Sequence, residues 1–340
     1  MAPQPPLAVP PLALTMGEPA GIGGEIALKA WAAHEARTPP FFVIDDAARL
    51  AAIAERFKIA CPVMSITRAG EAADVFARAL PVLQPTYPLN MPVTLGTPAA
   101  GTAAAVIGAI DQAVALVKAN LASGLVTNPI HKAGLTSAGF SYPGHTEYLG
   151  HLAGDVDTVM MLAVESLRVV PVTVHLALKD VAAQLTAQAI FRCGMITAMA
   201  LRSDFGIAHP RLAVAALNPH AGEKGNMGDE EQRIIAPAIA RLRAEGVTVT
   251  GPQPADTLFH AAARRHFDAA ICMYHDQALI PLKTIDFAGG VNVTLGLPFV
   301  RTSPDHGTAF DIAARGIADP SSLMAALRMA GMLASKRAAA

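Results

Sequence analysis

The stretch LALTMGEPAGIGGE, from Leu12 to Glu25, passes from a short apolar run through a glycine-rich turn into the start of a helix. Further short apolar runs follow along the chain, separated by longer segments with a helical pattern. The apolar runs show no clean alternation of polar and apolar residues, which is typical of strands covered on both faces. The pattern therefore predicts an α/β protein in which strands alternate with helices.

The predicted elements extend over most of the chain. The predicted strands are Leu12–Thr15, Phe41–Ile44, Gly124–Thr127, Val169–Val174, Leu212–Ala216, Ala269–Met273 and Val291–Thr294. The predicted helices are Gly24–Ala36, Thr102–Ala122, Asp180–Ala189, Phe191–Phe205, Glu230–Glu245, Ala255–Arg265, Pro304–Arg315 and Pro320–Leu333.

The chain has 340 residues, of which 52% are hydrophobic and 16% are charged. That length favours about two domains, and the apolar fraction is sufficient for packed cores. No linker rich in Gly, Ser or Pro divides the chain. Composition therefore leaves open both two consecutive domains and a discontinuous arrangement, with both termini in one domain.

The formal net charge is -1, so the chain lacks the basic surplus that binds nucleic-acid phosphates. The N-terminal stretch has no Lys or Arg and is broken by prolines, which argues against a secretory signal. No charge-free apolar run is long enough to predict a membrane span. The three cysteines are scattered and form no CxxC pair, as expected of buried thiols in a reducing compartment. We therefore expect a cytoplasmic protein with no nucleic-acid or membrane partner.

Three histidines share one sequence context. His175 ends VVPVTVH, His220 ends LAVAALNPH and His275 ends DAAICMYH, and each follows a predicted strand. In open α/β sheets, ligands bind beyond the carboxyl ends of the strands. Three imidazoles at that edge could bind a divalent metal and leave positions open for a substrate. The alternative interpretation is that they are ordinary polar residues at strand ends.

Two loops carry weaker signals. GHTE at Gly144–Glu147 offers an imidazole, a hydroxyl and a carboxylate in one turn, although Thr146 and Glu147 also suit the first turn of a helix. GEPAGIGGE at Gly17–Glu25 would let backbone N–H groups approach an anion, but it matches neither the dinucleotide fingerprint nor the P-loop. A tight turn between a strand and a helix is the simpler interpretation of the second loop.

The segment Pro281–Ala313 places polar residues in a largely apolar setting. Its cations Lys283 and Arg301 favour an anionic partner, because an unpaired charge among apolar residues is costly. Salt bridges to nearby aspartates are the alternative. Asn292 lies in an otherwise apolar strand, and the following DHGTAFD is predicted to be a polar loop that begins a helix.

The motifs together resemble the 4-hydroxythreonine-4-phosphate dehydrogenase family of pyridoxal phosphate biosynthesis. The resemblance is carried by LTMGEPAGIGGE, LVTNPIHKAGL, GHTEYL, VTVHLALKDV, ALNPHAGE, GPQPADTLF, MYHDQALIPLK and VNVTLGLPFVRTSPDHGTAFDIA, which run in the expected order over most of the chain. The chain departs from the family pattern at Gly24, where proline is common, and at Ala314-Arg315, where Gly-Lys is common. The second departure leaves the preference between NAD and NADP open.

The resemblance implies a fold like that of isocitrate and isopropylmalate dehydrogenases, with two α/β/α domains and a cleft between them. We predict a discontinuous first domain on the cofactor side, residues 1–135 plus 290–340, and a second domain on the metal and dimer side, residues 136–289. The resemblance also implies a homodimer with the active sites at the subunit interface.

The resemblance further assigns site residues by their match to the family motifs. The family's metal ligands match His175, His220 and His275. Its substrate contacts match His145, Thr146, Lys283, Asn292 and Arg301. Its nucleotide-binding region matches His306 and Gly307. Asp256, in PADTLF, matches a carboxylate near the metal, and either Asp256 or Lys283 is predicted to act as the catalytic base.

The activity implied is the oxidation of 4-phosphooxy-L-threonine with NAD or NADP and one divalent metal per active site, Zn, Mg, Mn or Co. A sister branch with the same motifs oxidises 4-phosphoerythronate or aromatic cis-dihydrodiols, so those substrates are the alternative. A two-domain protein that binds a small anion without chemistry is the alternative outside the enzymes.

Overall fold

The computed structural model describes residues 9–36 and 38–339. The chain folds into two compact units. Among the described residues, unit 1 consists of those up to Val156 together with Leu297–Ala339, and unit 2 consists of Asp157–Gly296. The first eight residues, part of the stretch that argues against a secretory signal, lie outside the described residues.

The strands and helices are numbered in chain order. The strands are β1 Leu12–Thr15, β2 Phe41–Ile44, β3 Val63–Ile66, β4 Leu80–Leu83, β5 Leu125–Thr127, β6 Val159–Val164, β7 Leu167–Thr173, β8 Arg211–Ala215, β9 Thr248–Gln253, β10 Ala269–Tyr274, β11 Val291–Leu295 and β12 Arg301–Pro304. The α-helices are α1 Gly23–Ala32, α2 Ala47–Phe57, α3 Ala72–Phe76, α4 Ala103–Lys118, α5 Lys132–Ser137, α6 His145–Leu152, α7 Leu178–Gln184, α8 Ala187–Ser203, α9 Ala236–Ala244, α10 Ala255–Leu258, α11 His275–Ile285 and α12 Ser321–Ala339.

Unit 1 is built on a parallel sheet. Within the described part of the chain its strand order is β3-β4-β2-β1-β5-β12, and each neighbouring pair is parallel. All four residues of β1 and of β2 are buried, as expected of strands covered on both faces. This confirms the predicted α/β class.

Helix α4 lies in the core of unit 1. The segment Ala100–Lys118 is long and apolar enough to cross a membrane by length and composition alone, but more than half of it is buried inside the protein. Val106, Ala109 and Ile110 belong to the hydrophobic core that also contains residues of the sheet. The segment is therefore a core helix rather than a membrane span.

Unit 2 carries a mixed sheet, with the order β11-β6-β7-β10-β8-β9 among the described residues. The pairs β11–β6 and β6–β7 are antiparallel, whereas β7, β10, β8 and β9 run parallel to one another. The carboxyl ends of those four strands therefore lie at one edge of the sheet.

The division of the chain differs from the predicted boundaries of residues 136 and 289. Residues 136–156 belong to unit 1, because Phe140, Tyr148 and Leu149 pack into its core. The Tyr148 hydroxyl also donates a hydrogen bond of 2.5 Å to Oδ1 of Asp111 on α4. At the other end, residues 290–296 belong to unit 2, because β11 pairs with β6.

The helix predicted at Pro304–Arg315 is wrong. After β12 the chain forms bends and turns up to Gly316. Ala309 has φ 47° and Gly316 has φ 70°, both in the left-handed region that a helix of L-residues does not adopt. The Thr308 carbonyl accepts a hydrogen bond of 3.1 Å from Ile22 N, so a contact distant in sequence fixes this loop.

Candidate active site

The three histidines singled out in the sequence lie at neighbouring strand ends in unit 2. His175 follows β7, His275 follows β10, and His220 follows β8 after a short connection. These strands are adjacent and parallel in the order β7-β10-β8. The fold therefore brings the three residues to one sheet edge, as the sequence predicted.

Two of these histidines adopt an uncommon backbone conformation. His175 and His220 both have φ 53°, in the left-handed region that non-glycine residues rarely occupy. Such conformations cost on the order of 1–3 kcal/mol each and cluster at functional sites. No sequence signal announced this feature, because neither position carries the Gly or Asn that usually marks it.

His275 is oriented by a neighbouring carboxylate. Its Nδ1 lies 2.7 Å from Oδ1 of Asp276, and its side chain is 44% exposed. A carboxylate on one ring nitrogen fixes the tautomer and leaves Nε2 as the electron-pair donor, which is the usual arrangement of a metal-binding imidazole. Asp276 was not predicted to have a role.

The described residues of the chain were expected to bring together three ligands for a metal ion. Among residues 9–36 and 38–339, no group of three or more His, Cys, Asp or Glu side chains is arranged to hold a metal ion. The assignment of His175, His220 and His275 as ligands therefore stays a prediction.

The other predicted residues of unit 2 occupy three elements. Asp256 is exposed on α10, directly after β9, and so lies at the sheet edge of the histidines. Lys283 lies on α11, with its Nζ 5.4 Å from the centre of the Phe287 ring. Asn292 lies in β11, and its side-chain Oδ1 has no hydrogen-bond partner among the described residues.

In unit 1, Arg301 provides a buried cation. The residue begins β12 and is 3% exposed. Its Nη2 donates a hydrogen bond of 2.6 Å to Oγ1 of Thr127, at the end of the neighbouring strand β5. Burial lowers the pKa of the guanidinium to about 10, and the carboxylate of Glu147 opposes that effect. The group therefore remains charged at neutral pH, in the fork geometry that suits phosphate or carboxylate.

His145 is the neutral neighbour of this cation. It is the first residue of α6, and its buried Nε2 has no hydrogen-bond partner in the described part of the chain. Burial lowers the pKa of His145 well below its ordinary value, and the positive charges of Arg301 and Lys132 lower it further. At neutral pH the imidazole is therefore uncharged and offers one N–H donor.

Lys132 is a residue of this site that the sequence analysis did not assign. A Cβ placed on Gly144 would lie 3.4 Å from Nζ of Lys132 and 3.5 Å from Oε2 of Glu147, so the ammonium lies at the start of α6. The predicted contact Thr146 is in the first turn of the same helix. The presence of Lys132 within the motif LVTNPIHKAGL was the signal that could have revealed it.

The predicted cofactor residues lie in the loop after β12. His306 Nε2 is buried without a hydrogen-bond partner among the described residues, whereas a Cβ on Gly307 would meet no atom within 4 Å. The glycine-rich turn supports this loop, since a Cβ on Gly21 would lie 2.9 Å from the Thr308 carbonyl oxygen. This confirms the interpretation of Gly17–Glu25 as a tight turn.

Known proteins resemble the chain over nearly its full length. The family described as "Pyridoxal phosphate biosynthetic protein PdxA" matches residues 37–330. The 4-hydroxythreonine-4-phosphate dehydrogenase of Caulobacter vibrioides is 54% identical over 96% of this chain and 98% of that protein. The crystal structure of the Klebsiella pneumoniae enzyme of the same name has 39% identity and a TM-score of 0.86, covering 96% of this chain and 99% of that one. A terephthalate 1,2-cis-dihydrodiol dehydrogenase from Burkholderia xenovorans is more distant, with 28% identity and a TM-score of 0.64, covering 95% and 98%.

With these similarities, the fold and the site define an α/β oxidoreductase. A protein that only binds a small anion is thereby set aside. The chain belongs to the PdxA family, the 4-hydroxythreonine-4-phosphate dehydrogenases of pyridoxal phosphate biosynthesis. As a dehydrogenase it uses a nicotinamide cofactor, and the family's name implies a phosphorylated substrate.

Proposed function

We propose that the chain oxidises 4-phosphooxy-L-threonine to 2-amino-3-oxo-4-phosphooxybutanoate, using NAD or NADP and a divalent metal. The product is a β-keto acid, which loses carbon dioxide to give 3-amino-2-oxopropyl phosphate. The observation that carries the proposal is the buried guanidinium of Arg301, held by Thr127 beside a neutral His145.

The anionic groups of the substrate are bound by His145, Thr146, Lys283, Asn292 and Arg301. Arg301 supplies two parallel N–H donors, and the uncharged His145 supplies a third donor without adding charge. Lys132 adds a second cation at the start of α6, where the backbone N–H groups of the helix also favour an anion. This combination favours a phosphorylated acid over a neutral diol.

The donor set of unit 2 fits a divalent metal. His175, His220 and His275 offer imidazole nitrogens, and the Asp276 carboxylate already orients the last of them. Imidazole nitrogen suits Zn²⁺ and Co²⁺ better than Mg²⁺, which prefers oxygen ligands. A metal held by these residues would supply Lewis-acid polarisation of the substrate hydroxyl.

The chain's own residues move the hydroxyl proton. Asp256, exposed at the edge that carries the three histidines, or Lys283 accepts that proton directly or through one water molecule. A nicotinamide cofactor supplies the acceptor for the hydride. Its binding involves His306, through the buried Nε2, and Gly307, where the open backbone permits close approach.

We further propose that the active enzyme is a cytoplasmic homodimer with its sites at the subunit interface. The described residues of one chain form no complete metal site, and unit 2 exposes large apolar side chains. Leu178, Ile280 and Phe287 are 68%, 65% and 78% exposed, and such apolar surface marks protein interfaces. In this arrangement unit 1 carries the cofactor and unit 2 carries the metal and the dimer contact.

The substrate is tested by following nicotinamide reduction with 4-phosphooxy-L-threonine and with 4-phosphoerythronate, each with Zn²⁺, Mg²⁺, Mn²⁺ or Co²⁺ added. A site that pairs the substrate ammonium rejects the analogue that lacks it, so we expect kcat/KM to favour the threonine derivative by at least about 100-fold. A preference for phosphoerythronate would assign the chain to the sister branch. The similarity to a dihydrodiol dehydrogenase makes an aromatic cis-dihydrodiol the third substrate of the comparison.

A further inference from the structure

The turn that contains His220 is left-handed over five successive residues. The φ angles from His220 to Lys224 are 53°, 53°, 74°, 42° and 59°, and only Gly222 among them is a glycine. L-residues adopt this conformation singly rather than in runs, because Cβ then crowds the following carbonyl oxygen. Such a turn persists only where its surroundings hold it.

The side chain that holds this turn is Glu231. The residue is 4% exposed and begins the π-helical turn Glu231–Ile235, an element frequent at functional sites. Its Oε1 accepts hydrogen bonds from Leu217 N at 2.9 Å and Asn218 N at 2.8 Å, and its Oε2 accepts one from Asn218 Nδ2 at 3.0 Å. Three donors thus satisfy a carboxylate that would otherwise be costly to bury.

Glu231 also contacts the middle of the turn. A Cβ placed on Gly222 would lie only 2.6 Å from Oε2 of Glu231, so the carboxylate packs against the glycine backbone. Asn218, which Glu231 holds, accepts a hydrogen bond from Ala221 N at 3.2 Å through its carbonyl. One carboxylate therefore fixes the backbone on both sides of His220.

We infer that Glu231 is a positioning residue that sets the place of the His220 imidazole for metal binding. The inference rests on the proposed metal site. No bond between Glu231 and the imidazole is required, since the carboxylate acts through the backbone of residues 217–222. Removal of the carboxylate releases the left-handed turn, and the imidazole then loses its fixed place before a metal arrives.

The test is the affinity of the metal-stripped full-length protein for Co²⁺, read from the visible absorption of the bound ion. Supporting groups around metal ligands change affinity by about 10–100-fold, and we expect Glu231→Ala to weaken binding by that factor. Glu231→Gln keeps an oxygen for both backbone N–H groups but loses the acceptor for Asn218 Nδ2, so it should recover part of the affinity. Glu165→Ala, exposed in the turn between β6 and β7, is the matched control and should bind as the wild type does.

A double-mutant cycle separates positioning from general destabilisation. In a His220→Ala background, Glu231→Ala should cause no further loss, because its effect passes through His220. An equal loss in both backgrounds overturns the inference.

Glu231→Asp, which withdraws the carboxylate by one methylene, is used if Glu231→Ala does not fold. Wild-type affinity for Co²⁺ in Glu231→Asp counts against the inference. Absence of Co²⁺ binding in the wild type overturns the metal site as well, whereas wild-type affinity in Glu231→Ala overturns this inference alone.

Discussion

Arg301 shows how one side chain makes an anion site specific. Its guanidinium is buried, and the Thr127 hydroxyl fixes the plane of the fork. A planar fork binds two oxygens of a phosphate at once, whereas an ammonium is a point charge without that directionality. The geometry of the group therefore matters at this position as much as its charge.

The first prediction concerns the substitution Arg301→Lys. Loss of a buried charge-assisted hydrogen bond costs about 1.5–3 kcal/mol, which corresponds to a KM for the phosphorylated substrate about 10–150-fold higher. Steady-state kinetics measures the change. Arg68→Lys, whose arginine side chain is 84% exposed, is the matched control and should leave KM unchanged. An unchanged KM in Arg301→Lys contradicts the assignment.

The second prediction concerns the pH dependence of stability through His145. Its pKa is lowered in the folded protein, so below the ordinary value of about 6.5 the unfolded chain binds a proton that the folded chain does not. Stability is therefore lost as the pH falls below that value. Thermal unfolding at about pH 7.5 and about pH 5.5 should show a smaller decrease in Tm for His145→Gln than for the wild type. Equal decreases contradict the prediction.

At the scale of one element, the first turn of helix α2 contacts both its own N-terminal cap, Asp46, and the glycine-rich turn at Gly17–Glu25. Oδ1 of Asp46 accepts a hydrogen bond of 2.8 Å from Arg49 N at the start of the helix. The Arg49 side chain in turn donates a hydrogen bond of 3.0 Å to the carbonyl of Pro19. The cap therefore stabilises the helix and indirectly the turn that supports the His306 loop.

The third prediction is that Asp46→Ala lowers the free energy of unfolding by about 1 kcal/mol, because the backbone N–H of Arg49 loses its hydrogen-bond acceptor. Asp46→Asn keeps an acceptor and should cost no more than a few tenths of that amount. Urea unfolding of unit 1, followed by the fluorescence of Trp31 on α1, measures both variants. Equal stability of the alanine and asparagine variants contradicts the capping role.

At the scale of the whole molecule, the proposed metal site at a subunit interface would make activity a property of the dimer. If the three imidazoles come from two subunits, a chain that lacks one ligand can be complemented by a chain that lacks another. In a mixture of two such variants, half of the randomly formed dimers are heterodimers with one intact site out of two. About a quarter of all sites are then complete.

The fourth prediction is that mixing His175→Ala, His220→Ala and His275→Ala in pairs restores activity in at least one pairing. Each variant should be inactive alone, and subunit exchange should restore up to about a quarter of the wild-type activity. Each variant mixed with itself under the same conditions is the control. Subunit exchange is verified with subunits that carry a tag of different mass. If exchange occurs and all three pairings stay inactive, the ligands lie in one chain and the shared site is overturned.

The sequence was sufficient to place the three histidines after predicted strands, because each follows a largely apolar run, and the parallel order β7-β10-β8 brings those strand ends to one edge. It was insufficient where contacts distant in the chain decide the structure. The helix predicted at Pro304–Arg315 fails because the bond from Ile22 and the left-handed Ala309 impose a loop. The boundary near residue 156 depends on Tyr148 meeting Asp111, which no local pattern shows.

The return of the chain to unit 1 at Leu297 has a consequence for the order in which the protein is made. Thr127 and Arg301, joined by a hydrogen bond, are 174 residues apart in the chain. At about 5–20 residues per second, the ribosome needs roughly 10–35 s to synthesise the chain between them. Throughout that interval β5 lacks its neighbour β12 and is an open edge, which is the kind of edge that recruits other strands. The nascent chain therefore carries this unpaired edge throughout the period in which unit 2 is translated.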